Sequence, residues 1–252
     1  MLFIGIDLAW SDKNSSGIAI LEGNKNKAKL ISNKILFSDK EILDYVKTNI
    51  KNKNAFIAID APLIAPNQKG RRLAEKKVGD LFRKYDAGAH PTNRKRLSQW
   101  SGKIRGEEIV KLFKNEGFIH NPYIKKFENK RKLFEVYPHP SMIVLFNLKK
   151  ILPYKAKPKR GYNLRWKAFK EYQKHLKNIK PLLIFPKGIL KKGVNKLKGK
   201  KLKDYEDMLD AIFCAYIAYY GWINPHKCAV LGNMKKGYIL TPIFDFMKEK
   251  NG

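Results

Sequence analysis

The 252-residue sequence predicts an α/β protein built on one mixed sheet, and three observations carry that reading. Residues 2–10 and 55–60 are apolar on both faces, as strands buried in the middle of a sheet are. Between them lie two further strand-like stretches and one helix, so three antiparallel strands precede a crossover to a parallel one. The chain then alternates helical and strand patterns and closes on DYEDMLDAIFCAYIAYYGW, its most regular helix. With 44% hydrophobic residues it buries a sizeable core. The expected organisation is a single domain, 1–252, with a basic helical insertion over about 66–134 and a lysine-rich helix and connector over about 149–203.

The elements follow in order. FIGIDLAW is the first strand, SDKNSSG a turn, GIAILEG the second strand and AKLISNKILF the third. Ser38 with Glu41 three residues on forms a capping box, and Ile42, Leu43, Val46 and Ile50 keep helical spacing behind it. AFIAID is a short buried strand stopped by Pro62. Helical, basic sequence follows to about 134, broken at DAGAHPTN and HNPY. KLFEV is the fifth strand, followed by a proline-punctuated turn and a short helix. Residues 160–180 predict a basic helix, in which Trp166, Phe169 and Tyr172 have core spacing, although they could also stack bases. The closing helix places Asp204 at its N-cap and Gly221 at its C-cap. CAVLGNMKKGYILTP ends the pattern as a hairpin.

The net charge of +31 is unevenly spread. Residues 66–134 carry +12 and residues 149–203 carry +19, so the remainder is neutral. A neutral core between basic flanks suits a protein that holds a polyanion, nucleic acid above all. Lysine-rich coding is the plainer source of the same excess. The longest apolar run, 211–223, is short of a membrane span, and no secretory leader opens the chain. Two cysteines make neither a disulfide framework nor a metal motif. A cytoplasmic location with no membrane partner is expected; oligomeric state is open.

The carboxylates carry the chemistry. FIGID and FIAID are nearly the same phrase, and each ends in an aspartate, Asp7 and Asp60, with small neighbours on the same face. Adjacent central strands ending in Asp would set two carboxylates side by side at the carboxyl edge, where α/β sheets gather their sites. Like charges that close coexist only with a cation between them. Asp207 and Asp210, three apart, share one face of the closing helix. Hard oxygen donors without clustered His or Cys select Mg²⁺ or Mn²⁺. Two such ions about 4 Å apart activate water and stabilise the leaving oxygen in phosphodiester cleavage.

The stretches GIDLAWSDKNSSGIAIL, AIDAPL, FEVYPHPS and DMLDAIFCAY resemble the motifs of domain-of-unknown-function family 429, predicted nucleases of RNase H-like fold. The likeness covers most of the chain, including GRRLAEKKVG and AGAHPTN. More distantly, the strand-1 Asp, the strand-4 acid and the closing D-x-x-D-A helix are similar to the Holliday-junction resolvase branch of that superfamily. The resemblance implies an RNase H-like mixed five-stranded sheet flanked by helices. It carries Asp7, Asp60, Asp207 and Asp210 over as metal ligands and catalytic acids, and Glu135 as a family motif without a resolvase counterpart. The expected function is a divalent-metal-dependent nuclease acting on DNA or RNA. Asp7 would bridge two ions, Asp60 and Asp210 would hold one each, and Asp207 or Glu135 would complete a shell. Arg71, Arg72, His139, Lys159 and Arg160 are the candidate substrate-binding residues, with His90 as a further histidine of interest. The alternatives are a non-catalytic nucleic-acid binder on the same fold, a nucleotide phosphotransferase and a small-molecule phosphohydrolase.

Overall fold

The structure is a computed structural model, and it describes residues 1–99 and 102–248. The elements are β1 (Leu2–Asp7), β2 (Ser16–Gly23), β3 (Lys27–Leu36), α1 (Asp39–Ile50) and β4 (Ala55–Asp60). The next are α2 (Leu73–Phe82), α3 (Arg94–Ser98), α4 (Arg105–Asn115), β5 (Ile119–His120), β6 (Lys132–Glu135) and α5 (Pro138–Leu145). The chain finishes with α6 (Tyr162–Asn178), β7 (Leu182–Ile184), α7 (Gly199–Ile223), β8 (Cys228–Asn233) and β9 (Gly237–Pro242).

The main sheet has the order β5-β6-β4-β1-β2-β3-β7. Its centre is the predicted arrangement: β1 antiparallel to β2, β2 antiparallel to β3, and β1 parallel to β4, which is parallel to β6. This is an RNase H-like α/β sheet. It has seven strands rather than five because β5 and β7 each add a short edge of two or three residues. Neither edge piece has a strand-length apolar pattern. β8 and β9 form a separate hairpin, tied to the sheet by a parallel bridge between Val136 and Leu240.

Strand alternation gives the sheet two apolar faces. Ile4, Ile6, Ile18, Ile20, Ile57 and Ile59 face Ile42, Val46 and Ile50 of α1 and Ile109 and Phe113 of α4. The box at Ser38 and Glu41 starts α1 as its sequence requires. On the opposite face Phe3, Ala19, Leu21, Phe56 and Ala58 pack under α7, with α6 beyond it. The bulky apolar residues of α7 fill this layer, and Phe169 and Tyr172 are fully buried there. Trp166 is half-buried, and its indole donates to the Leu197 carbonyl, so the aromatic side of α6 is core rather than a base-stacking platform. α7 begins five residues before Asp204 and runs through Gly221, because the lysines at 200, 201 and 203 are good helix formers that extend it. Among the described residues no helix is long and apolar enough to cross a membrane.

Candidate functional site

Asp7 and Asp60 are register partners at the carboxyl ends of the parallel pair β1 and β4. Counting by twos, Asp7 lies on the face of Phe3 and Gly5, and Asp60 on that of Phe56 and Ala58. This is the face under α7. The small residues there do not leave space for an ion; they let the helix approach. A β-carbon on Gly5 would lie 1.9 Å from the Ala211 carbonyl oxygen and 2.2 Å from the Ala215 nitrogen. One on Gly17 would lie 2.1 Å from the Asp207 carbonyl oxygen. Backbone-to-backbone contact at these two glycines brings Asp207 and Asp210 down beside Asp7 and Asp60.

The four carboxylates share one electrostatic environment. Burial pushes the Asp7 carboxyl well above the usual range, and the charges of Asp210, Asp60 and Asp207 push it further against the pull of Lys155. Burial likewise raises Asp60 to about 7, with Lys155 opposing and Asp210 and Glu135 adding to the rise. Asp207 is 2% exposed, takes a 2.5 Å ion pair from Lys203, and is hydrogen-bonded with Asp7. Asp210 is fully buried. It accepts from Tyr154 Oη at 2.9 Å and Tyr172 Oη at 3.3 Å, and pairs with Lys155 Nζ at 2.8 Å.

Lys155 is the cation at the centre of the cluster. Burial works to lower its pKa, but Asp210, Asp7 and Asp60 outweigh that and hold it well above the ordinary lysine value. It arrives on the segment between α5 and α6, held at two adjacent carbonyls: Arg165 Nε donates to that of Tyr154 and Arg160 to that of Lys155, each at 2.9 Å. No signal in the sequence separates Lys155 from 43 other lysines. Tyr154 was equally invisible, since its partner lies 56 residues away.

The donor set has the chemistry of a hard-cation site: carboxylate oxygens in excess, with one ammonium standing among them. Their present spacing is that of a lysine-centred cluster. Among the described residues no group of three or more His, Cys, Asp or Glu is placed to hold a metal ion. Oxygen donors of this type are those a hard divalent cation takes, and the Lys155 ammonium now stands among them.

The remaining predicted residues divide. Glu135 is buried and bound on both oxygens by Arg72, at 2.9 and 2.6 Å, while the Leu63 amide donates to it at 2.9 Å. Arg72 also pairs with Glu75 and donates to the Ile64 carbonyl. Its side chain is 1% exposed, so it braces the site and is not available to a substrate phosphate. Arg71 and Lys159 are exposed, and Arg160, half-buried, donates to the Lys155 carbonyl. His139 lies inside: Nδ1 meets Tyr137 Oη at 3.0 Å, Nε2 is buried without a partner, and burial with the nearby Lys155 keeps the ring neutral.

A cleft of about 650 Å³ opens from Asp7 and Asp207 and is lined by Trp10, Lys13, Phe37, Lys200 and Lys203. The two aromatic rings are its platforms. The Arg96 guanidinium sits 5.3 Å from the Trp10 ring and Lys200 Nζ 5.6 Å from the Phe37 ring. Arg105 fixes both platforms from below. It donates to the carbonyls of Ala9, Ser11 and Phe37 and pairs with Asp39 at 2.7 Å. The aromatic residues on α6 are core, and the rings at the cleft come from the turns after β1 and β3.

Fold and site together define an RNase H-like α/β protein whose acidic centre opens into a basic, aromatic cleft. The chain belongs to the family described as Protein of unknown function (DUF429), whose model matches residues 5–232. No curated protein matches the chain significantly.

Proposed function

We propose that the protein hydrolyses phosphodiester bonds of a nucleic acid with the help of Mg²⁺ or Mn²⁺. The observation that supports this is the meeting of four carboxylates from β1, β4 and α7, two of which, Asp7 and Asp207, open into a cleft lined by lysines and two cation-capped aromatic rings. Lysines there would hold the phosphate backbone and the rings would stack bases, the combination that binds single strands. Bound ions would supply water activation and stabilise the leaving oxygen. Asp7, Asp60 and Asp210 would hold them, with Asp207 orienting Asp7. Lys155, once drawn away from Asp210, is within the site to meet phosphate charge. Both cysteines are free, which suits a reducing, cytoplasmic setting.

The test is cleavage of labelled single- and double-stranded DNA and RNA with Mn²⁺, using Asp7→Asn as control. Cleavage by the wild type and its loss in the variant, with binding retained, is the expected result. Equal activity of the two proteins removes the catalytic assignment. A second reading is favoured by Lys155 itself: a nucleic-acid binder in which the ammonium permanently replaces the metal. It requires salt-sensitive binding indifferent to Mg²⁺ and no cleavage.

A further inference from the structure

The solvent side of α6 carries a second set of cations, apart from those of the cleft. Lys167, Lys170, Lys174 and Lys177 are all exposed, and steps of three, four and three residues keep them in one stripe. At 1.5 Å of rise per residue the stripe is about 15 Å long. None of the four ammonium groups has an ion-pair or hydrogen-bond partner among the described residues. Like charges at these spacings repel on a helix surface, and Glu171 is the one acid between residues 149 and 203. Lysine-rich coding acts on every helix alike, yet the others carry acids. α1 has Asp39, Glu41 and Asp44 beside Lys40 and Lys47, and α4 has Glu107 and Glu108 beside Lys111 and Lys114. Lysines there find partners within the chain: Lys47 pairs with Glu116 and Lys111 with Glu108. On α6 the counter-charge is left to come from outside.

Position and surroundings select the partner. The N-terminal end of α6 adjoins the acidic centre, where Arg165 donates to the Tyr154 carbonyl, next to Lys155, and pairs with Glu206. Tyr162 Oη accepts from the Gly199 amide at 3.2 Å, at the start of α7, whose Lys200 and Lys203 line the cleft. The stripe begins one turn further along α6 and leads away. The apolar side of the helix is packed into the core, which leaves it nothing to insert into a bilayer. The cleft combines lysines with aromatic rings, as single-strand sites do. From residue 163 to 178 the lysines stand without rings: Phe169 and Tyr172 are buried and Trp166 is half-buried. A straight row of cations with no ring to stack on contacts phosphates and reads no base. That suits paired nucleic acid, which presents about nine phosphates over 15 Å of duplex. We propose that α6 holds a duplex flank of the nucleic acid whose unpaired end enters the cleft, with Lys167, Lys170, Lys174 and Lys177 meeting its phosphates. This rests on the nucleic-acid part of the reading above and not on hydrolysis, and it makes the substrate class a duplex with a single-stranded tail.

The experiment is fluorescence anisotropy of the full chain in EDTA, where no cleavage occurs, with a labelled single strand and the same strand as the tail of a duplex. The tailed duplex is expected to bind more tightly. Its log K should fall more steeply with log salt, by about 0.9 for each of the four lysines. Its advantage over the bare strand should therefore shrink about a hundredfold between 50 and 200 mM salt. A variant with Lys167→Gln, Lys170→Gln, Lys174→Gln and Lys177→Gln should bind the tailed duplex with the slope and affinity of the bare strand, whose own binding stays unchanged. A control with Lys25→Gln, Lys27→Gln, Lys29→Gln and Lys34→Gln, four exposed lysines of the β2–β3 region, should behave as the wild type. Thermal melting confirms that both variants fold. Wild-type binding of the tailed duplex by the α6 variant, or an equal loss in the control, overturns the proposal. So does an α6 variant that loses binding to phosphatidylserine vesicles while keeping the tailed duplex. Cleavage with Mn²⁺ alongside unaltered duplex binding in the α6 variant keeps the nuclease reading and removes the helix's role. Absence of binding to either nucleic acid overturns both.

Discussion

Replacing Lys155 by methionine removes one charge and keeps most of the packing of the stem. The ammonium is paired with Asp210 at 2.8 Å, and the side chain is 27% exposed. Removing one partner of a buried ion pair costs about 3–5 kcal/mol, and the partial exposure places this one near 3. For a chain of this size, each kcal/mol moves Tm by roughly 2–4 °C, so a fall of about 10 °C is expected at pH 8 in EDTA. The loss should shrink at pH 5. There Asp60, raised to about 7, carries a proton, so less charge is left to balance. On the metal-dependent proposal, added Mn²⁺ should then stabilise Lys155→Met more than the wild type, where the ion would compete with an ammonium already in place. Saturation at a hundred times Kd is worth about 2.7 kcal/mol, enough to recover most of the loss. Differential scanning fluorimetry with a Mn²⁺ titration reads all of this. An unchanged Tm at pH 8, or the same Mn²⁺ response in both proteins, refutes the view that lysine and metal occupy the same place.

Gly5→Ala forces a β-carbon into the backbone of α7 at Ala211 and Ala215, where no side chain can swing aside. Overpacking of this kind costs about 3 kcal/mol or more, seen as a Tm lowered by roughly 10 °C, and a variant that melts with the wild type would contradict the contact. Asp60 holds its proton more tightly folded than unfolded, so it contributes stability below about pH 4 that is lost as pH rises through about 7. Urea denaturation in EDTA should therefore show Asp60→Asn gaining on the wild type between those pH values, and a constant difference would show that the shift is absent. Glu135→Gln leaves Arg72 with one counter-charge in the interior and should cost about 3 kcal/mol by urea denaturation. A substitution without effect on stability would reassign Glu135 to the reaction.

Much of the fold was legible because the physics that sets it is local. Alternation and apolar runs identified β1 to β4, and the Ser38–Glu41 box located the start of α1. The repeated phrases FIGID and FIAID placed two aspartates in register, since parallel neighbours of matching pattern align end to end. What escaped was long-range. β5 and β7 are strands only because an edge is there to receive them. Arg72 and Glu135 looked like site residues on two motifs, yet they lie 63 positions apart in sequence and satisfy each other in the interior. Gly5 stands out in the sequence only as a small neighbour of Asp7, whereas its lack of a side chain serves contact with a helix two hundred residues downstream.

The charge excess also resolves into separate tasks once position is known. Lys155 reaches inward to Asp210, and Lys203, at the edge of the cleft, pairs with the buried Asp207. Arg105, buried, spends its donors on the carbonyls that carry Trp10 and Phe37. Among the described residues, Lys13, Lys200, Lys203 and Arg96 are the cations at the cleft, where a phosphate strand could meet them. Net charge therefore overstates the binding surface, because part of it is consumed in holding the acidic centre together. Salt dependence of oligonucleotide binding measures the part that is left. With phosphates met at three or four cations, log K should fall with a slope of about −2 to −3 against log salt for a single strand. A slope many times steeper would mean that the lysine coat as a whole, and not this cleft, holds the nucleic acid.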